Sequence, residues 1–163
     1  MRLFIGILLS EEMQGTLIET LHALKKKGVS GCYATASNLH LTLAFIGEAD
    51  SASAVKAAMQ TVRCKPFRLS LTELTAFGDV LCVGAKGSQG LFAAEREIKT
   101  ALDQAGIAYD KKKFVPHITL VRRMAGDWRQ IQAPRQEMMV KRISLLKSEE
   151  KNGRRVYTEI FSI

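Results

Sequence analysis

Apolar and polar positions divide the chain into alternating strand-like and helix-like stretches. Leu3-Phe4-Ile5-Gly6-Ile7-Leu8-Leu9 is a short unbroken apolar run and predicts a buried strand. Ser10 follows as an N-cap, and Met13, Leu17, Leu21 and Leu24 mark one helical face until Lys25-Lys26-Lys27-Gly28 ends it. A short strand is predicted near Cys32-Tyr33-Ala34, then a longer one from residue 38 that closes at Gly47. Residues 50–63 predict a second helix, with Val55, Ala58, Met59 and Val62 at helical spacing, and Phe67, Leu69 and Leu71 alternate as a strand after Pro66. Val80-Leu81-Cys82-Val83-Gly84 predicts another strand, and Ser88 can cap a helix whose face is Leu91, Ala94, Ile98, Ala101 and Ala105, up to Gly106. Trp128 falls in an expected short helical turn, and 138–146 with 154–163 predict a closing hairpin across Asn152-Gly153.

Two of the strand patterns carry chemistry: Asn38-Leu39-His40-Leu41-Thr42-Leu43-Ala44-Phe45 and, 77 residues on, Pro116-His117-Ile118-Thr119-Leu120-Val121. A strand points alternate side chains to opposite faces, so His and Thr share one face, roughly 7 Å apart. Leu41, Leu43 and Phe45, and likewise Ile118 and Leu120, take the other face and can enter a core. Chance is a poor explanation, because the chain has only three His and two of them carry Thr two places on. Other landmarks recur at nearly the same offset: Gly6 with Gly84, Ser10 with Ser88, Gly28 with Gly106. The expectation is one bilobal domain with an internal repeat, 1–77 and 78–153, completed by a last strand over 154–163, and with the His strands facing each other across a cleft.

Composition narrows the setting. A length of 163 residues with 47% apolar content suits one globular domain. The first apolar run is too short to cross a bilayer and leads into Ser10-Glu11-Glu12 rather than a cleavage site, so no membrane association is expected. Cys32, Cys64 and Cys82 are odd in number and form no C-x-x-C pair, which predicts neither a disulfide framework nor a thiolate zinc site and points to a reducing cytoplasm. His22, His40 and His117 lack the spacing of a metal motif, so no metal or cofactor is expected. The net charge is +8 and uneven, with 8 Lys+Arg against 7 Asp+Glu up to residue 80 and 16 against 9 beyond it. A basic half favours phosphate-bearing partners, with Lys111-Lys112-Lys113 as the candidate track and a solvated face as the alternative.

Two imidazoles at one site suit general acid and base work near neutral pH. Thr hydroxyls can donate to non-bridging oxygens, and a basic rim can hold phosphate without a metal. These are the requirements of in-line phosphoester cleavage. The paired H-x-T-x strands resemble those of the 2H phosphoesterase superfamily, specifically its bacterial and archaeal RNA 2′,3′-cyclic phosphodiesterases, also called 2′,5′ RNA ligase-like proteins. The stretch 38–47 resembles the first signature of that group and 114–122 the second.

The resemblance implies an α+β fold of two antiparallel sheets flanked by helices, and hydrolysis of a 2′,3′-cyclic phosphate to a 2′-phosphate. It makes His40 the proton donor, His117 the proton acceptor, and Thr42 and Thr119 phosphate-binding residues. Some relatives also join or cleave 2′,5′ linkages in RNA. Arg122 stands where the group has Arg and is the favoured phosphate-binding residue if the strand bends or ends after Val121, whereas strict alternation from His117 puts Arg123 on the cleft face and keeps it as the alternative. Cys82 occupies a position where the group commonly has Trp, so base stacking would fall to Tyr33 or Phe114, which core packing explains equally well. The expected partner is RNA with 2′,3′-cyclic phosphate ends, tRNA fragments among them, acted on by a monomer. Two other readings stand beside it: a module that binds RNA or a nucleotide without turnover, and a phosphodiesterase for small cyclic nucleotides or ADP-ribose cyclic phosphate. His22 has no Thr partner and no expected role.

Overall fold

The computed structural model describes residues 1–163. Nine strands and three helices follow in the order β1 (Arg2–Leu8), α1 (Glu11–Lys26), β2 (Ser30–Tyr33), β3 (His40–Glu48), α2 (Ser53–Met59), β4 (Phe67–Phe77), β5 (Val80–Gly87), α3 (Gln89–Gln104), β6 (His117–Ala125), β7 (Glu137–Val140), β8 (Ser144–Lys151) and β9 (Arg154–Ser162), with a 3₁₀ turn at Ala36–Asn38 before β3. The helix starts follow local chemistry. Ser10 Oγ accepts from the Met13 N–H at 3.2 Å, with Glu11 and Glu12 in the positive first turn and Lys25 and Lys26 in the last. Ser88 holds the N-cap position of α3 without a side-chain hydrogen bond, and Leu102 rather than Ala105 completes its buried face. α2 is shorter than its periodicity predicts. The Thr61 and Val62 N–H groups bond three residues back, and Thr61 Oγ1 donates to Ala58 O at 2.7 Å, which draws the chain out of α-geometry. Trp128 sits in a single turn closed by the Ile131 N–H.

All strand pairs are antiparallel, in the order β7-β4-β5-β6-β3-β1-β8-β9, with β2 paired to β6. The expected two sheets are two halves of this path, joined only where Leu41 of β3 meets Ile118 of β6. Beyond that pair β2 takes the edge of β6, setting Tyr33 opposite Val121 and Cys32 opposite Arg122. Each half draws strands from both ends of the chain: β4 joins β5 and β7, while β8 and β9 extend the edge of β1. The spatial lobes therefore differ from the segments 1–77 and 78–153. The His strands are also neighbours at the junction instead of facing walls. The predicted 138–146 strand is divided, because β7 pairs with β4 and only β8 forms the hairpin with β9. That hairpin turns through Asn152 at φ 53° and Gly153 at φ 76°, the left-handed pair that a two-residue turn needs.

Buried side chains from both halves form one continuous cluster, so the halves do not fold around separate cores. Leu41 and Ile118 lie fully inside it, and this burial turns their neighbours, the His and Thr side chains, to the opposite face.

Candidate active site

The Leu41–Ile118 pair arranges the site. Continuing its antiparallel register one residue each way brings His40 beside Thr119 and Thr42 beside His117. Each imidazole is oriented in the same way, by a hydrogen bond to the carbonyl two residues earlier: His40 Nδ1 to Asn38 O at 2.7 Å, and His117 Nδ1 to Val115 O at 2.6 Å. A carbonyl only accepts, so both Nδ1 atoms carry hydrogen and both Nε2 atoms are left for chemistry. His40 Nε2 meets Thr42 Oγ1 at 3.0 Å, and Thr119 Oγ1 lies 3.9 Å from the buried Cys82 Sγ.

The two imidazoles sit in different surroundings. His40 packs against Phe4, ring centroids 4.7 Å apart, and takes Tyr157 edge-on at 5.0 Å, whereas the aromatic neighbour of His117 is the exposed Phe77, at 5.6 Å. Burial therefore holds the His40 imidazole below its ordinary value of 6.5. The positive charges of Arg122 and His117 push the same way, against the Asn38 carbonyl, which favours the charged form. Burial likewise raises the Cys82 thiol, which stays a neutral packing group.

A cleft of about 990 Å³ opens over this face. Its walls include His40, Thr42, Thr119, Tyr33 and Arg122, and His117 is not among them. Arg122 lines the cleft and Arg123 does not, for a local reason. Opposite β5, register advances from Cys82–Thr119 to Leu81–Val121, so Leu120 is an extra residue and alternation changes phase. Arg122 thereby joins the His and Thr face, and Arg123 takes a left-handed φ of 52°. β3 has the same bulge at the same place, where Leu43 is extra between Thr42–Gly6 and Ala44–Ile5. That turns Phe45 out of the core position its alternation predicts and into the cleft wall, where the Arg2 guanidinium lies 5.0 Å above its ring. The pairs Leu43-Ala44 and Leu120-Val121, two apolar residues running where alternation wants one, are the signal of this phase change. For Phe114 the packing alternative is the one the contacts favour. Its ring lies outside the cleft wall, edge-to-face with Phe92 of α3 at 5.6 Å, and serves packing. His22 is exposed on α1.

Several wall residues carry no motif in the sequence: Arg2 and Phe4 from β1, Ser148 from β8, and Arg154, Arg155 and Tyr157 from β9. Asn38 ties this far wall to the histidine strand, since its Nδ2 donates to Arg155 O at 2.8 Å while its own carbonyl holds His40. The cleft thus joins the His40 imidazole, hydroxyl donors and guanidinium groups, with His117 on the neighbouring strand, a constellation suited to an anionic ester.

The fold as a whole is that of the LigT structures. Apo LigT of E. coli superposes with a TM-score of 0.83 at 25% identity, covering 99% of this chain and 95% of that one, and LigT complexed with 3′-AMP gives 0.80 at 26%, with the same coverage. The family model of the 2′-5′ RNA ligase superfamily matches residues 12–152, and the chain belongs to that superfamily. Among its relatives, the RNA 2′,3′-cyclic phosphodiesterase of Thermotoga maritima is 30% identical over 131 residues, 75% of this chain and 70% of that protein. The protein of the same name from Aeropyrum pernix is 31% identical over 118 residues, 68% and 67% of the two chains.

Proposed function

We propose that this protein hydrolyses RNA 2′,3′-cyclic phosphate ends to 2′-phosphates by paired-histidine acid–base catalysis. The reading is carried by the two adjacent strands, on which matched Nδ1 hydrogen bonds leave both Nε2 atoms available. Water attacks phosphorus in line with the P–O3′ bond, and His117 Nε2 takes its proton. As P–O3′ breaks, His40 Nε2 gives a proton to O3′, so the products are a 2′-phosphomonoester and a free 3′-hydroxyl. Thr42 and Thr119 hydroxyls and the Arg122 guanidinium stabilise charge on the non-bridging oxygens. With a 5′-hydroxyl of another strand in place of water, the same proton transfers join the ends through a 2′,5′ linkage. The reducing cytoplasm, where exposed Cys32 stays a thiol, is the setting we assign.

The test is incubation with 2′,3′-cyclic mononucleotides and with RNA ending in a cyclic phosphate, products identified by phosphorus NMR. A 2′-phosphate signal is expected. Replacing His40 or His117 by Ala lowers kcat by about 10² to 10⁴, and His22→Ala leaves it unchanged. A 3′-phosphate product, or an active H40A/H117A double variant, would defeat the mechanism.

A further inference from the structure

The cleft is at the upper end of the about 300–1,000 Å³ that encloses a small-molecule ligand, and its charge has one sign. No Asp or Glu lines it, whereas Arg2, Arg122, Arg154 and Arg155 do. Arg122 stands close enough to His40 to depress its basicity, whereas the other three line the same cleft from β1 and β9 and do not act on His40. Register sets Arg2 opposite Ser148 and Ser148 opposite Tyr157, and Arg155 stands two residues along β9 from Tyr157, roughly 7 Å on. Neither Arg2 nor Arg154 is within ion-pair distance of a carboxylate, and Arg155 reaches Glu150 only at 4.0 Å and Ser148 Oγ at 3.4 Å. Guanidinium groups in a concave wall that holds no carboxylate, with Glu150 reaching Arg155 alone, repel one another, and an anion between them relieves that repulsion. The lysine run, by contrast, is outside the cleft: Lys111 pairs with Asp103 at 3.2 Å and covers the Tyr109 ring, and Lys112 approaches Asp110 at 3.9 Å.

We propose that Arg2, Arg154 and Arg155 form a second anion subsite that takes the phosphodiester adjoining the cyclic end, so that an oligoribonucleotide is the preferred substrate over a cyclic mononucleotide. The proposal rests on the phosphodiesterase reading. The reacting phosphate sits among His40, His117 and Arg122, the terminal nucleoside spans the Phe4 and Tyr157 rings, and the next phosphate meets the three guanidinium groups. Charge-assisted hydrogen bonds from Arg to phosphate supply affinity without sequence preference.

The experiment compares 2′,3′-cyclic AMP with an adenosine trinucleotide ending in a 2′,3′-cyclic phosphate, in wild type, R2Q, R154Q/R155Q and K111Q/K112Q/K113Q. Circular dichroism checks that each variant folds, and R154Q/R155Q, at an exposed hairpin end, carries the test should R2Q not fold. The preference for trinucleotide in kcat/KM is expected to fall about tenfold in R154Q/R155Q and to persist in the lysine variant. In parallel, anisotropy of a labelled trinucleotide bearing a 2′-phosphate reads binding without turnover. Its log–log salt slope becomes shallower by about 0.7 for each phosphate contact removed. Proportional losses on both substrates, an unaltered slope in R154Q/R155Q, or loss of slope in the lysine variant instead would each overturn the subsite. If wild type turns over neither substrate the hydrolase reading fails, and the binding slopes alone then decide the subsite.

Discussion

His40 and His117 share a sequence pattern and a backbone anchor, yet the rings around them differ, and that difference sets their behaviour with pH. His40, packed against Phe4 and Tyr157, which also touch each other, is held below 6.5 by burial, with Arg122 and His117 adding to the effect. As the proton donor it must be charged, so kcat/KM on the cyclic substrate declines as pH rises, beginning on the acid side of 6.5. Arg122→Gln removes one of the charges that depress His40, so a pH profile of this variant places the decline at higher pH, whatever the height of the profile. An unmoved decline would separate Arg122 from the acid. The same depressed basicity bears on folding. The unfolded chain takes up this proton first, so stability that is complete above 6.5 is lost as pH falls below it. Denaturant unfolding between pH 7 and pH 5 should show a smaller loss in His40→Gln than in wild type. His40, Thr42, His117 and Thr119 could all be picked from the sequence because a His-x-Thr period of two is visible in any strand. Tyr157, which faces His40, stands over a hundred residues away with no motif to mark it.

The histidine strands work because each carries a bulge one residue past its Thr, and glycines make room for the close approach. Gly6 lies opposite Thr42, and a methyl group there would meet Leu41 O at 2.7 Å, backbone that cannot swing aside. Gly6→Ala is therefore expected to cost about 1–3 kcal/mol and, by displacing the peptide between Leu41 and Thr42, to lower kcat about 10- to 100-fold. Unfolding and steady-state kinetics check the two effects. Gly84, its counterpart by sequence offset, pairs with His117, but a methyl group there meets the Thr72 hydroxyl, which can rotate away. Gly84→Ala should be the milder change, and equal losses at the two positions would contradict this account. α1 and the β8–β9 turn were legible in advance because caps and left-handed turn residues act within a few positions. The end of α2 was not, since the Thr61 hydroxyl takes the Ala58 carbonyl from the helix.

At the scale of the molecule the two halves of the sheet meet at one pair, and the site occupies that junction. No three His, Cys, Asp or Glu side chains converge anywhere in the chain, and both proton transfers are assigned to imidazoles. Turnover is accordingly expected to survive EDTA, and its loss on chelation with recovery on adding zinc or manganese would contradict the assignment. The sequence by itself determined the α+β class, α1 with its cap, the closing hairpin turn and a face of each histidine strand bearing His and Thr. All of these follow from periodicity and capping among residues close in the chain. Tertiary structure alone decided that β2 pairs with β6 and β7 with β4, that Arg122 and Phe45 turn to the cleft, and that Arg2, Arg154, Arg155 and Tyr157 build its far wall. The choice of strand partner and the phase of a strand beyond a bulge are set by which residues the shared core can bury, and that core is assembled from both ends of the chain.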